Sequence, residues 1–334
     1  MKKWLFTLVA LLLLSGCEKS VELVHLSGPT MGTTYNIKYT QQVGIPSSSV
    51  LQVEIDRLLE EVNDQMSTYR ESSELSWFNR YSGNDPFSVS EQTAIVVQEA
   101  IRLNELTLGA LDVTVGPLVN LWGFGPEARR DVVPSEEALA QRKAKTGIVH
   151  LSVEGHTLRK DIPDLYVDLS TIAKGWGVDV IANYIESQGV ENYMVEIGGE
   201  IRLKGLNREG VPWRIAIEKP ATEERTVQEI IEPGEMAIAT SGDYRNYFER
   251  DGVRYSHIID PKTGYPINNY VVSVTVLDKS SMTADGLATG LMVLGEEKGM
   301  AIAELNQIPV LMIVKTEDGF KERVSSAFKP YLNR

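Results

Sequence analysis

Apolar residues recur at helical spacing over much of the first half of the chain and at strand spacing over much of the second. This change of period is the strongest constraint on the fold. Leu51, Ile55, Leu58, Leu59 and Val62 lie on one helical face, after three serines (Ser47, Ser48, Ser49) able to cap a first turn. A second helix is predicted over 90–108, closed by Gly109, and a third from Ser135 to near Gly147. A fourth is predicted over 172–188, with Gly189 in the C′ position. Strands are predicted at 31–39, 193–204, 213–218, 236–239, 254–260, 271–277 and 310–314, and further helices at 281–294 and 296–306. Residues 123–134 read as a loop. Helices followed by mixed strands predict an α+β fold with a largely antiparallel sheet. No Rossmann glycine fingerprint follows a strand, which argues against a nicotinamide dehydrogenase.

The first residues carry an address. Met1-Lys2-Lys3-Trp4 precedes an apolar run from Leu5 to Leu14, then Ser15-Gly16-Cys17. A positive start, a short apolar run and small residues make a secretory signal, and the run is too short to span a bilayer. Leu14-Ser15-Gly16-Cys17 resembles the bacterial lipobox, and Cys17 is the only cysteine in the chain. Residues 1–16 are therefore predicted as a lipoprotein signal peptide and 17–30 as a lipidated N-terminus and tether. Several acyl chains on Cys17, as in bacterial lipoproteins, would anchor firmly.

Removal of the signal leaves 318 residues, and 43% of the whole chain is apolar, enough for a real core. The net charge of −13 makes a poor polyanion binder, so nucleic acid is disfavoured. His25, His150, His156 and His257 lie far apart without cysteine companions, which argues against zinc. Any metal would be hard and oxygen-ligated.

Four segments can carry chemistry. Asp168-Leu-Ser-Thr-Ile-Ala-Lys-Gly opens a predicted helix, where free N–H groups and the dipole favour phosphate and Lys174 adds charge. The same residues also suit an ordinary helix cap. In Met282-Thr-Ala-Asp-Gly-Leu-Ala-Thr-Gly-Leu, Asp285 and Thr289 share one face of a helix that is otherwise small or apolar. A buried carboxylate there needs either a hard cation or a basic side chain as partner. His257 lies on a predicted strand before the turn Asp260-Pro-Lys-Thr-Gly, either as a structural residue or as a general base. The paired glycines of Glu196-Ile-Gly-Gly-Glu read as a close backbone approach to a ligand.

Together with residues 28–35, 66–70 and 110–118, these segments resemble, in order, the ApbE family of FAD:protein FMN transferases. The resemblance covers nearly the whole mature chain. It implies one T-fold-like unit over 31–334, with FAD as substrate and Mg²⁺ as cofactor. Met31, Tyr69, Ala110, Leu111, Asp112, Asp168, Lys174 and Ile259 then correspond to FAD contacts. Thr171, Asp285 and Thr289 correspond to Mg²⁺ ligands, and His257, acting with Asp285, to the catalytic base. Many members have two glycines where this chain has Ser170-Thr171, and some have an aspartate in place of Ala288, which leaves water or main-chain carbonyls to complete a metal shell.

The implied reaction transfers FMN from FAD to a threonine or serine hydroxyl of another protein and releases AMP. The implied acceptors are flavin-bearing subunits of Na⁺-translocating NADH:quinone reductase and Rnf-type complexes. Their periplasmic attachment sites favour the periplasmic face of the inner membrane over the outer membrane, although Glu18 stands where inner-membrane retention usually has aspartate. A Mg²⁺-dependent FAD pyrophosphatase and a non-catalytic FAD-binding lipoprotein are the alternatives.

Overall fold

The computed structural model describes residues 22–125, 133–218, 227–242, 247–250 and 253–332. The predicted signal peptide, Cys17, part of the 123–134 loop and residues 243–246 lie outside these. Eight strands form the central sheet: β1 (Leu23–Thr30), β2 (Thr33–Thr40), β3 (Tyr193–Ile197), β4 (Glu200–Lys204), β5 (Ala237–Gly242), β6 (Val271–Asp278), β7 (Val310–Thr316) and β8 (Gly319–Val324). They are neighbours in that same order, and every pairing is antiparallel.

Seven helices are described: α1 (Ser48–Met66), α2 (Glu74–Arg80), α3 (Glu91–Leu106), α4 (Gly116–Leu121), α5 (Glu136–Lys143), α6 (Ala173–Ser187) and α7 (Ser281–Leu305). Leu51, Ile55, Leu59, Val62 and Met66 form the buried stripe of α1, at the expected spacing. With Val178, Ile181 and Ile185 of α6, part of that stripe packs on Tyr35, Ile37 and Val195 of β2 and β3. A second core joins α3 and α7 to Val274 and Val276 of β6. The opposite side of the sheet is covered by a smaller cluster around Trp213, Leu277, Leu311 and Phe328. The α+β reading therefore holds, with helices gathered on one face of an antiparallel sheet.

Several boundaries differ from the sequence reading. Residues 23–30 do not belong to a tether. They form β1, whose Gly28 and Pro29 look like breakers but sit on an edge strand, where a missing N–H is tolerated. Met31 and Gly32, at φ +49° and +72°, are the two-residue turn into β2 rather than part of the strand. The predicted strand 193–204 is a hairpin folded at Gly198 and Gly199, both at positive φ, so these glycines serve a turn. The helix from Ser135 stops at Lys143. The two helices predicted on either side of residue 295 are there: within α7 the backbone leaves helical geometry at Gly295, at φ +78° and ψ −178°.

Helices α6 and α7 meet at their N-terminal ends. Asp179 on α6 accepts from Ser280 Oγ at 2.7 Å and from the N–H groups of Ser281 and Met282 at 3.0 Å, and so caps α7 from outside. Arg202 of β4 donates to the same carboxylate at 3.0 Å. The crossing is tight: a Cβ on Gly175 would lie 2.3 Å from the Ser281 carbonyl oxygen and 2.7 Å from Met282 Cα. Gly175→Ala must therefore part the two helices, at a cost of about 1–3 kcal/mol, as overpacking typically does. Urea unfolding at constant slope checks this, and an unchanged midpoint would show that the crossing is looser than it looks.

Candidate active site

The segment entering α6 is held from below by α2, a helix the sequence reading missed. Asn79 donates to the Val167 carbonyl at 2.9 Å and accepts from the Val167 N–H at 2.8 Å. Lys160, buried, donates to the carbonyls of Phe78 and Leu165, each at 3.1 Å. Burial lowers the Lys160 ammonium to about 8. Next in the chain, Asp168 accepts from the Ser170 N–H at 2.9 Å and so caps a local turn, not the helix. The helix N-cap is Ile172, which makes no side-chain cap. Thr171 Oγ1 is shielded from solvent and has no hydrogen-bond partner.

One turn later, Lys174 extends between two buried carboxylates. Its Nζ is 2.6 Å from Glu200 and 3.8 Å from Asp285. The other Asp285 oxygen accepts from the Gly175 N–H at 3.0 Å. Asp285 and Glu200 are each only 4% exposed, and Glu200 Oε2 has no partner. Two carboxylates thus face one ammonium. Burial raises the Glu200 carboxyl to about 7, with Lys174 pulling it down and Asp285 pushing it further up. Burial raises Asp285 as well, against Lys174 and the Gly175 N–H. Burial alone would lower the Lys174 ammonium, but the two carboxylates outweigh it and hold it above its ordinary value.

Of the two partners open to Asp285, the basic side chain is present, at long range, and its short contact is to Glu200. The group remains one positive charge short of balance, with Thr171 Oγ1 and Glu200 Oε2 unpaired beside it, so a hard cation fits the donors. Thr289, one turn along α7, shares a 3.0 Å hydrogen bond with Ser241 of β5. Among the described residues no group of three or more His, Cys, Asp or Glu side chains could hold a metal. A cation here would rest on carboxylate, threonine hydroxyls and water.

These groups line a cavity of about 330 Å³, which Tyr69, Ala110, Leu111, Asp112, Asp168, Thr171, His257, Ile259 and Thr289 also border. Met31 stands apart from it. It lines an adjoining cavity of about 900 Å³, and Tyr69, Asp168, Ser170 and Lys174 border both. The Asp112 carboxylate is spent on its own loop, accepting from Thr114 Oγ1 at 2.6 Å and from the Ile148 N–H at 3.3 Å.

His257 lies just beyond the strand Val253–Ser256, not on it. It faces the ring of Phe124 edge-on, with centroids 6.3 Å apart. The turn after it is pinned by Trp122, whose Nε1–H donates to the Gly264 carbonyl at 2.9 Å. Sequence reasoning left Glu200 and Ser241 out of the site. The only signal for Glu200 was the glycine pair before it, which places it at the first position of β4.

Residues 31–312 match the ApbE family model, and residues 1–17 match a prokaryotic membrane lipoprotein lipid attachment site. The FAD:protein FMN transferase of Vibrio cholerae serotype O1 is 77% identical over 334 residues and 100% of both chains. The FAD:protein FMN transferase of Haemophilus influenzae is 52% identical, covering 98% of each chain. The flavin transferase ApbE from Vibrio cholerae, a solved structure, superposes with a TM-score of 0.89 at 78% identity, covering 93% of this chain and 100% of that one. No helix among the described residues is long and apolar enough to cross a membrane.

Loss of both bonds between Asn79 and Val167 should loosen the Asp168 segment. Asn79→Ala is expected to cost about 2 kcal/mol for two partly buried hydrogen bonds, and to weaken FAD binding. Thermal unfolding and quenching of FAD fluorescence read the two effects; unaltered FAD affinity would mean that the segment holds its place unaided.

Proposed function

On the premise that this chain belongs to the ApbE family, we propose that it transfers FMN from FAD to a threonine or serine hydroxyl of an acceptor protein, with Mg²⁺ in the site and AMP as the leaving group. One observation carries the reading. Thr171, Lys174, His257, Asp285 and Thr289, drawn from separate segments, all border one cavity. The adjoining larger cavity, which shares Lys174 and Asp168 with it, offers room for the second half of a dinucleotide.

Phosphoryl transfer asks a protein mainly for positioning and charge neutralisation. Asp285, Thr171 and Thr289 would hold Mg²⁺, which supplies a Lewis acid and a template at the pyrophosphate. Lys174 and the N-terminal end of α6 place positive charge at the same point. His257 takes the proton of the incoming hydroxyl, held in place by the Trp122-pinned turn that follows it. Tyr69, which borders both cavities, and Ile259, buried in the lining of the smaller one, bracket the flavin. The carboxylate of Asp112 is already engaged, so its segment would meet FAD through backbone groups.

The acceptor is a flavin-bearing subunit of a redox-driven ion pump of the Na⁺-translocating NADH:quinone reductase or Rnf type. The lipid on Cys17 holds the enzyme on the periplasmic face of the inner membrane, beside such acceptors.

Incubation with FAD, Mg²⁺ and a candidate acceptor should yield fluorescent acceptor and one AMP per label; free FMN instead would make the chain a hydrolase, and untouched FAD a carrier. Asp285→Ala should reduce labelling by a factor on the order of 10²–10³, as loss of a transition-state electrostatic contact does, and remove its dependence on Mg²⁺. Full labelling by that variant would remove the site. His257→Ala should slow transfer by about 10²–10⁴ and flatten the rate against pH; a retained pH profile would take the histidine out of the reaction.

A further inference from the structure

Two carboxylates and one ammonium share the buried end of the cavity, and the three are not equivalent. Glu200 is fixed by backbone: it is the first residue of β4, paired with Ile197 across the two-glycine turn. Asp285 is fixed by its helix and by the Gly175 N–H. Lys174 alone hangs on a long flexible stem, and its ammonium sits 2.6 Å from Glu200 but 3.8 Å from Asp285. If the charge at 200 were removed, the remaining carboxylate beside the ammonium would be Asp285. An ammonium closed onto Asp285 takes the position that a divalent cation would take there and satisfies its carboxylate.

We propose that Glu200 is a positioning residue for the cation: it holds Lys174 to one side and so keeps Asp285 open to a divalent ion. The inference rests on the metal reading given above and extends it to a residue that does not itself ligate. Its action on the metal runs wholly through Lys174. A direct ligand at 200, for which the unpaired Oε2 is the obvious candidate atom, would behave differently.

The test is a double-mutant cycle on metal binding rather than on turnover. Mn²⁺ binding to the full-length, detergent-solubilised protein, saturated with FAD and without acceptor, is read from the electron paramagnetic resonance signal of free Mn²⁺. Glu200→Gln should weaken binding at least tenfold, and Glu200→Asp should recover part of that loss. Lys174→Met and the double variant Lys174→Met/Glu200→Gln should bind Mn²⁺ equally, within about threefold.

That last comparison stands even if Glu200→Gln alone fails to fold. A double variant at least tenfold weaker than Lys174→Met would make Glu200 a direct ligand and overturn the inference. Wild-type affinity in Glu200→Gln would also overturn it. Failure of the wild type itself to bind Mn²⁺ would instead strike the metal reading on which the inference rests.

Discussion

The site depends on a single carboxylate that never touches it. Asp179, nearly two turns into α6, closes the open N-terminal end of α7 and is itself held by Arg202 of the sheet. A buried charge with four donors is stable, and loss of it would leave the helix end and the arginine both unpaired. Because the two helices are joined there, and because Gly175 lets their backbones touch, residues 174 and 285 come within ion-pair range. No local propensity would bring them together.

That juxtaposition gathers the candidate site residues at two helix beginnings. The first turn of α6 carries Thr171 and Lys174 at its edge, and the early turns of α7 carry Asp285 and Thr289. Helix starts favour negative ligands, and carboxylates favour cations. A bound group with an anionic bridge and a counter-cation satisfies both at once. Burial raises the carboxyls of both Glu200 and Asp285, and Lys174 pulls both back down.

Much of this was legible in the residues. The stripe Leu51–Ile55–Leu59–Val62, the capping serines at 90 and 135 and the glycines at 109 and 189 marked helices close to their true positions, because amphipathic period and cap chemistry are local. Eleven of the twelve residues assigned to FAD, metal or base border one cavity, and Met31 the cavity beside it. What stayed hidden was non-local. Nothing near Gly28-Pro29 announces an edge strand, since its partner supplies the pattern. Asp179 reads as a polar residue in a helix until α7 arrives to be capped. Glu200 read as an interior position of a single strand over 193–204, and only the turn at Gly198 and Gly199 revealed where it lies. Asp112 borders the cavity, but its carboxylate is occupied by its own loop, which spacing could not disclose.

The central sheet has one further consequence. Its strands are adjacent in the order in which they are synthesised, yet about 150 residues separate β2 from its neighbour β3. The first hairpin must therefore wait, with one edge unsatisfied, while most of the helical layer is made and delivered. That seam joins the earliest part of the chain to its middle, and its closure is the slow, long-range event in assembly. A nascent chain held at its N-terminus keeps that exposed edge close to the point of attachment, where a neighbour's edge could pair with it before its own partner arrives.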